Sequence, residues 1–128
     1  MSQENKRIVE EINTSFIEGK PEDFLKYCTE DVVWTMEGEK TTEGLASVRE
    51  WMTQMDGFEP PKFTVDKMIA DGDTVACYGE MSMNAPPEAA GSYSYCDIYT
   101  FAGGKVKELR SFVVKHKSAD EKSDSAAG

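Results

Sequence analysis

The sequence predicts a segregated α+β fold, with helices in its N-terminal half and antiparallel strands after them. Three observations lead there. Apolar residues follow the helical period as far as Met55. From Lys62 onward the period falls to two, as in strands with one covered face. The length of 128 residues suits a single core. Consecutive helices followed by consecutive strands stack as layers. The helices cover one face of the sheet, and the other face meets solvent or a second subunit.

Ile8, Ile12 and Phe16 recur at helical spacing with Val9 and Ile17 beside them, so a first helix presents one apolar stripe and stops at Gly19. Lys20-Pro21 starts a short second helix. Pro21 is pre-set for a first-turn position, Glu22 and Asp23 suit the positive end of the dipole, and Phe24, Leu25 and Cys28 form the buried side. Val32 to Met36 reads as a short strand ended by Gly38. Thr42 is placed to cap a third helix whose stripe is Leu45, Val48, Trp51, Met52 and Met55. Asp56-Gly57 ends it and Pro60-Pro61 blocks continuation.

Phe63, Val65 and Ile69 then alternate with polar residues as far as the Asp71-Gly72-Asp73 turn. Strands over 74–83 and 92–102 follow, separated by a loop over 84–91 that contains Pro86-Pro87. Gly103-Gly104 turns the chain into a last strand from Lys105 to about Lys117. Residues 1–117 thus form one domain, and 118–128, small and polar, form a flexible tail.

The formal charge is -10. Such a surface repels phosphate backbones and anionic lipid heads, so no nucleic-acid or membrane partner is expected. No apolar run approaches the ~20 residues of a membrane span. The segment Met1-Ser2-Gln3-Glu4-Asn5-Lys6 lacks the apolar core of a signal peptide, so the expected location is cytoplasmic. Cys28, Cys77 and Cys96 make no C-x-x-C pair and read as free, buried thiols. One histidine, His116, leaves no imidazole cluster for a transition metal, and a Ser/His/Asp hydrolase only with His116 as its base. No glycine-rich phosphate loop, G-x-S-x-G elbow or H-E-x-x-H motif occurs. No cofactor is expected.

The helix, glycine stop and proline-started helix lead into Y-C-T-E-D-V-V-W over 27–34 and E-G-L-A-S-V-R-E-W-M over 43–52. A-D-G-D-T-V-A over 70–76 follows, then Y-S-Y-C-D-I-Y-T-F-A-G-G-K-V-K-E-L-R-S-F over 93–112. This order resembles the SnoaL-like and ketosteroid-isomerase-like branch of the nuclear transport factor 2-like superfamily, from about Ile8 to Val114. The resemblance implies a cone-shaped, curved antiparallel sheet with three N-terminal helices packed on its concave face. It implies a conical pocket between them for an apolar small molecule, often within a homodimer. It implies no single reaction, because this fold carries many.

On the penultimate strand, Tyr93, Tyr95, Asp97, Tyr99 and Phe101 share one face, and Asp97 is its only charge. If that face lines the cone, desolvation raises the Asp97 pKa, and the protonated carboxyl can donate to a carbonyl or enolate. Matched along C-D-I-Y-T-F, Asp97 sits where ketosteroid isomerase places its protonated acid. Two other readings stand beside this one. Asp97 is ionised and paired with Arg110 or a tyrosine hydroxyl, or this face points outward into a wet dimer interface. The positions aligned with the isomerase's general base and tyrosine donor are Met36 and Ile12, so Glu80 is the remaining candidate base. An epoxide-hydrolase Asp-Arg-Asp relay is missing, since Tyr95 stands where its arginine is needed.

Trp34, Met36, Met55 and Tyr78 are the expected pocket walls, together with Tyr95 and Tyr99. Alignment with the isomerase adds Leu109, Ser111 and Val113 and turns Arg110 away. Trp51 and Met52 read as core. His116 reads as an exposed or interface residue, and Glu37, Glu39 and Glu43 as solvated surface. Three functions fit: an isomerase- or cyclase-type enzyme using Asp97 with Tyr95, Tyr99 or Glu80; a non-catalytic ligand-binding module; and a protein-interaction dimer with a filled core. A second polar group within reach of Asp97 separates the first two.

Overall fold

The computed structural model describes residues 2–20, 22–54, 62–84 and 90–116. Met55, the Asp56-Gly57, Pro60-Pro61 and Pro86-Pro87 signals, and the tail expected over 118–128 lie outside them. Helix α1 spans Ser2–Ile17 and α2 spans Glu22–Leu25. Strand β1 covers Cys28–Met36, β2 Lys40–Glu43, and helix α3 Leu45–Thr53. Strands β3 (Lys62–Phe63), β4 (Lys67–Asp71), β5 (Thr74–Met83), β6 (Gly91–Ala102) and β7 (Lys105–Lys115) complete the sheet.

The seven strands run in the order β2-β1-β7-β6-β5-β3, with β4 also on β5. Every joint is antiparallel except β1–β7, where the first strand returns to lie parallel beside the last. The helices cover one face: α1 packs on β4 and β5, α3 on β1 and β2, and α2 bridges α1 and α3.

Two expectations change here. Thr42 does not cap α3. It pairs with Trp34 in the β1–β2 hairpin, and the cap position is Gly44, at φ 92 with no side-chain hydrogen bond. The stretch read as one strand from Lys62 to Asp71 is two. Phe63 pairs with Met81 and Lys67 with Tyr78, so the register slips by one residue between β3 and β4. A one-residue slip turns every later side chain to the opposite face. Hence Phe63 and Met68 pack on the core while Val65 and Ile69 are exposed.

The core lies between the helices and the concave face. Val9, Ile12, Phe24, Val32, Val48, Val75, Cys77 and Val106 are wholly buried. Phe16, Phe24, Trp34 and Trp51 form a tilted and edge-on aromatic chain, with Trp34 and Trp51 ring centres 4.9 Å apart. Ile17, expected beside the first helix stripe, is exposed.

Candidate functional site

Strand β6 settles the phase. Tyr95, Tyr99 and Phe101 are buried, at 7%, 1% and 2% exposure, so the face carrying Asp97 looks inward. The sheet register stacks the concave side chains in rungs. Val75, Tyr99, Leu109 and Trp34 form one rung, and Cys77, Asp97, Ser111 and Met36 the next. Gly79, Tyr95 and Val113 follow, then Met81 and Tyr93. Exposure varies within the rungs. Val75, Tyr99 and Leu109 are sealed, Asp97 and Met36 are half-buried, and Val113, Met81 and Tyr93 keep partial exposure. Asp97 is thus deep in the protein and still touched by solvent.

Its electrostatics follow from that position. Burial pushes the Asp97 carboxyl up from 3.8 to about 6, against the lowering pull of a hydrogen bond from Ser111. Ser111 faces Asp97 directly across the β6–β7 ladder and also accepts the Trp34 indole N–H at 2.9 Å. Arg110, a partner of Asp97 in one alternative reading and turned away in the alignment with the isomerase, points to the other side of the sheet and binds Glu37 at 2.7 Å. None of the described lysines or arginines is buried.

Trp34, Met36, Tyr95, Tyr99, Leu109, Ser111 and Val113 stand on the concave side, in the phase the sequence reading gave them. Tyr78 and Glu80 do not. They alternate with buried Val75 and Cys77 on β5, so both face outward, Tyr78 at 44% exposure. Glu80 there contacts Ser94 at 3.1 Å and His116 at 3.4 Å and cannot serve Asp97.

The phenols are also spoken for or sealed. The Tyr95 hydroxyl donates to the Thr64 carbonyl at 2.6 Å. Gly79 makes this possible, because a Cβ there would run into that carbonyl. Burial pushes the Tyr95 and Tyr99 phenols and the Cys77 thiol up, so all stay neutral near pH 7.

Sequence reasoning missed Asn13. Its side chain is buried in α1 and its amide contacts the Cys77 sulfur at 3.6 Å, one strand from Asp97. The signal was present: Asn5, Val9 and Asn13 recur at helical spacing beside the Ile8–Ile12–Phe16 stripe, and all three are buried.

Asp97 lines neither of two surface recesses bounded by described residues. One of about 660 Å³ runs along α1 at Gln3, Lys6 and Arg7. The other, about 270 Å³, lies between β2 and α3 beside Lys40 and Trp51. Among the described residues no group of three or more His, Cys, Asp or Glu could hold a metal ion, and no helix is long and apolar enough to cross a membrane.

An open curved sheet of seven strands with helices on one side is the nuclear transport factor 2-like fold. The model of the SnoaL-like domain matches residues 9–109, so the chain belongs to the SnoaL-like family. No curated protein matches the sequence significantly.

Solved structures agree on the fold. An LEH-like epoxide hydrolase from M. tuberculosis superposes with a TM-score of 0.77 at 16% identity, over 88% of this chain and 84% of that one. A candidate ketosteroid isomerase from Kribbella flavida gives 0.75 at 14% identity, over 91% and 82%. A de novo designed protein with a curved β-sheet gives 0.72 at 26% identity, over 99% and 96%.

Proposed function

We propose that this SnoaL-like protein binds an apolar, carbonyl-bearing small molecule on the concave side of its sheet, and that Asp97 exchanges a proton with it in isomerase- or cyclase-type chemistry. One observation supports this above the others. Asp97 is a deep, solvent-touched carboxyl without an ion-pair partner among the described residues, and burial pushes its pKa up to about 6. A proton-transfer group is most effective with its pKa close to the working pH. At pH 7 such a carboxyl is about nine-tenths ionised, so Asp97 acts there as a base, and below about pH 6 as the hydrogen-bond donor first expected.

Two measurements test the reading. Carboxyl-detected NMR should place the Asp97 midpoint near 6; a midpoint at or below the ordinary ~3.9 ends it. In heavy water, the protein should speed deuterium uptake at the α-carbon of an apolar bicyclic ketone such as 2-tetralone. That rate should rise through the Asp97 midpoint and vanish in Asp97→Asn.

A second reading, a non-catalytic binding module, is favoured by the committed hydroxyls: Tyr95 is spent on the Thr64 carbonyl and Ser111 lies between Trp34 and Asp97, so neither hydroxyl is left to act on a ligand. It expects ring contacts from the ketone at Met36 and Val113 with no deuterium uptake. We further infer a homodimer through the convex face. Ile69, Tyr78 and Val114 are exposed there beside half-buried Ile98 and Phe112.

A further inference from the structure

We propose that Trp34 and Ser111 are positioning residues for Asp97: the indole N–H occupies the Ser111 oxygen, so the serine proton is held on one carboxylate oxygen and the other is left for a ligand. This rests on the role assigned to Asp97 above.

The direction of the relay follows from donor chemistry. An indole N–H can only donate, an ionised carboxylate can only accept, and a hydroxyl can do one of each at the same time. Trp34 Nε1 lies 2.9 Å from Ser111 Oγ. Ser111 and Asp97 are direct partners across an antiparallel ladder, both on the concave side. The hydroxyl therefore has one arrangement that satisfies both neighbours, donating to Asp97.

The indole is itself held. Trp34 packs against Phe16, Phe24 and Trp51, with ring centres 6.5, 5.3 and 4.9 Å away, so it cannot swing off Ser111 without breaking an aromatic cluster. Strand pairing fixes the other end. Met36 is the β1 neighbour of Ser111, and Trp34 sits one same-face position before it.

Other groups facing Asp97 do not compete. Cys77 on β5 and Tyr95 and Tyr99 on β6 stay neutral in the working range, and Asn13 on α1 contacts Cys77. Arg110 is engaged with Glu37 on the far side. The ionised form of Asp97 thus depends on Ser111, and Ser111 on Trp34.

The test is NMR titration of the full chain, without ligand. The Asp97 carboxyl and the Trp34 indole N–H should report the same midpoint. Ser111→Ala removes a hydrogen bond to the charged form, so the Asp97 midpoint should rise by roughly one pH unit, and the indole signal should stop following it. Ser111→Thr should restore both, and Trp34→Phe, which keeps a ring in the cluster, should raise the midpoint less.

A Trp34 indole signal blind to the Asp97 titration in the unmutated protein overturns the relay, even where a variant fails to fold. So does a midpoint unmoved in folded Ser111→Ala. An ordinary midpoint near 4 in the unmutated protein defeats the functional reading instead, which separates the two failures.

Discussion

Asp97 gives up most of its water on folding and receives one neutral hydrogen bond in exchange. Its carboxyl is harder to ionise in the folded chain than in the unfolded one, so the folded state binds the extra proton. The sign is opposite to that of a salt-bridged aspartate. Below about pH 3 both states hold the proton and Asp97 contributes nothing. As pH rises from the unfolded value of 3.8 to the folded value of about 6, stability is progressively lost. Above that window the whole difference counts against the fold, about 2–3 kcal/mol. Asn is isosteric and can accept the Ser111 hydroxyl without a charge. Asp97→Asn should therefore stabilise the protein by about 2 kcal/mol at pH 8 and by little at about pH 4. Urea unfolding at both pH values measures this; an equal effect at the two would refute it. A site that loses stability when its key residue is native is what a functional carboxyl predicts.

Strand β6 and the β3–β4 segment show why some phases are legible in sequence and others are not. β6 is regular along its concave-facing run from Tyr93 to Tyr99, so simple alternation placed Asp97, Tyr95 and Tyr99 inward. The partners of Asp97 followed only in part. Ser111 was visible as a lining residue, but its bond from Trp34 joins residues 77 apart in sequence and appears only once β1 lies beside β7. On β5 the apolar–polar alternation is weak, because Tyr78 is aromatic yet outward and Gly79 has no side chain to vote. Between β3 and β4 the extra residue is silent in sequence, and it moved Ile69 from the expected core to solvent. The slip predicts an inverted pair of costs. Ile69→Ala should change stability by less than about 0.5 kcal/mol, while Met68→Ala, its less hydrophobic-looking neighbour, should cost at least about 1 kcal/mol. Equal costs in thermal or urea unfolding would mean the register is continuous after all.

Over the whole molecule, charge is distributed unevenly, and this bears on assembly. The chain carries -10, and the convex sheet face holds Lys67, Lys105 and Arg110 against Glu37, Glu43, Asp71, Glu80 and Glu108, so only a minor part of that excess resides there. Across its middle lie Tyr78, Cys96, Ile98, Phe112 and Val114. Two copies meeting through this face bring apolar surface together. Long-range repulsion between two strongly acidic protomers still opposes the encounter, and it is screened once the Debye length falls to about 10 Å near 0.1 M salt. Self-association should therefore tighten as sodium chloride rises from about 20 to about 200 mM, the reverse of a contact held by ion pairs. Tyr78→Glu adds charge to the face at an exposed site and should leave the fold intact while driving the equilibrium to monomer. Sedimentation equilibrium reads both effects. A chain that sediments as a monomer at about 100 µM in every salt would remove the dimer and leave the concave carboxyl untouched, because Asp97 and its relay lie entirely within one chain.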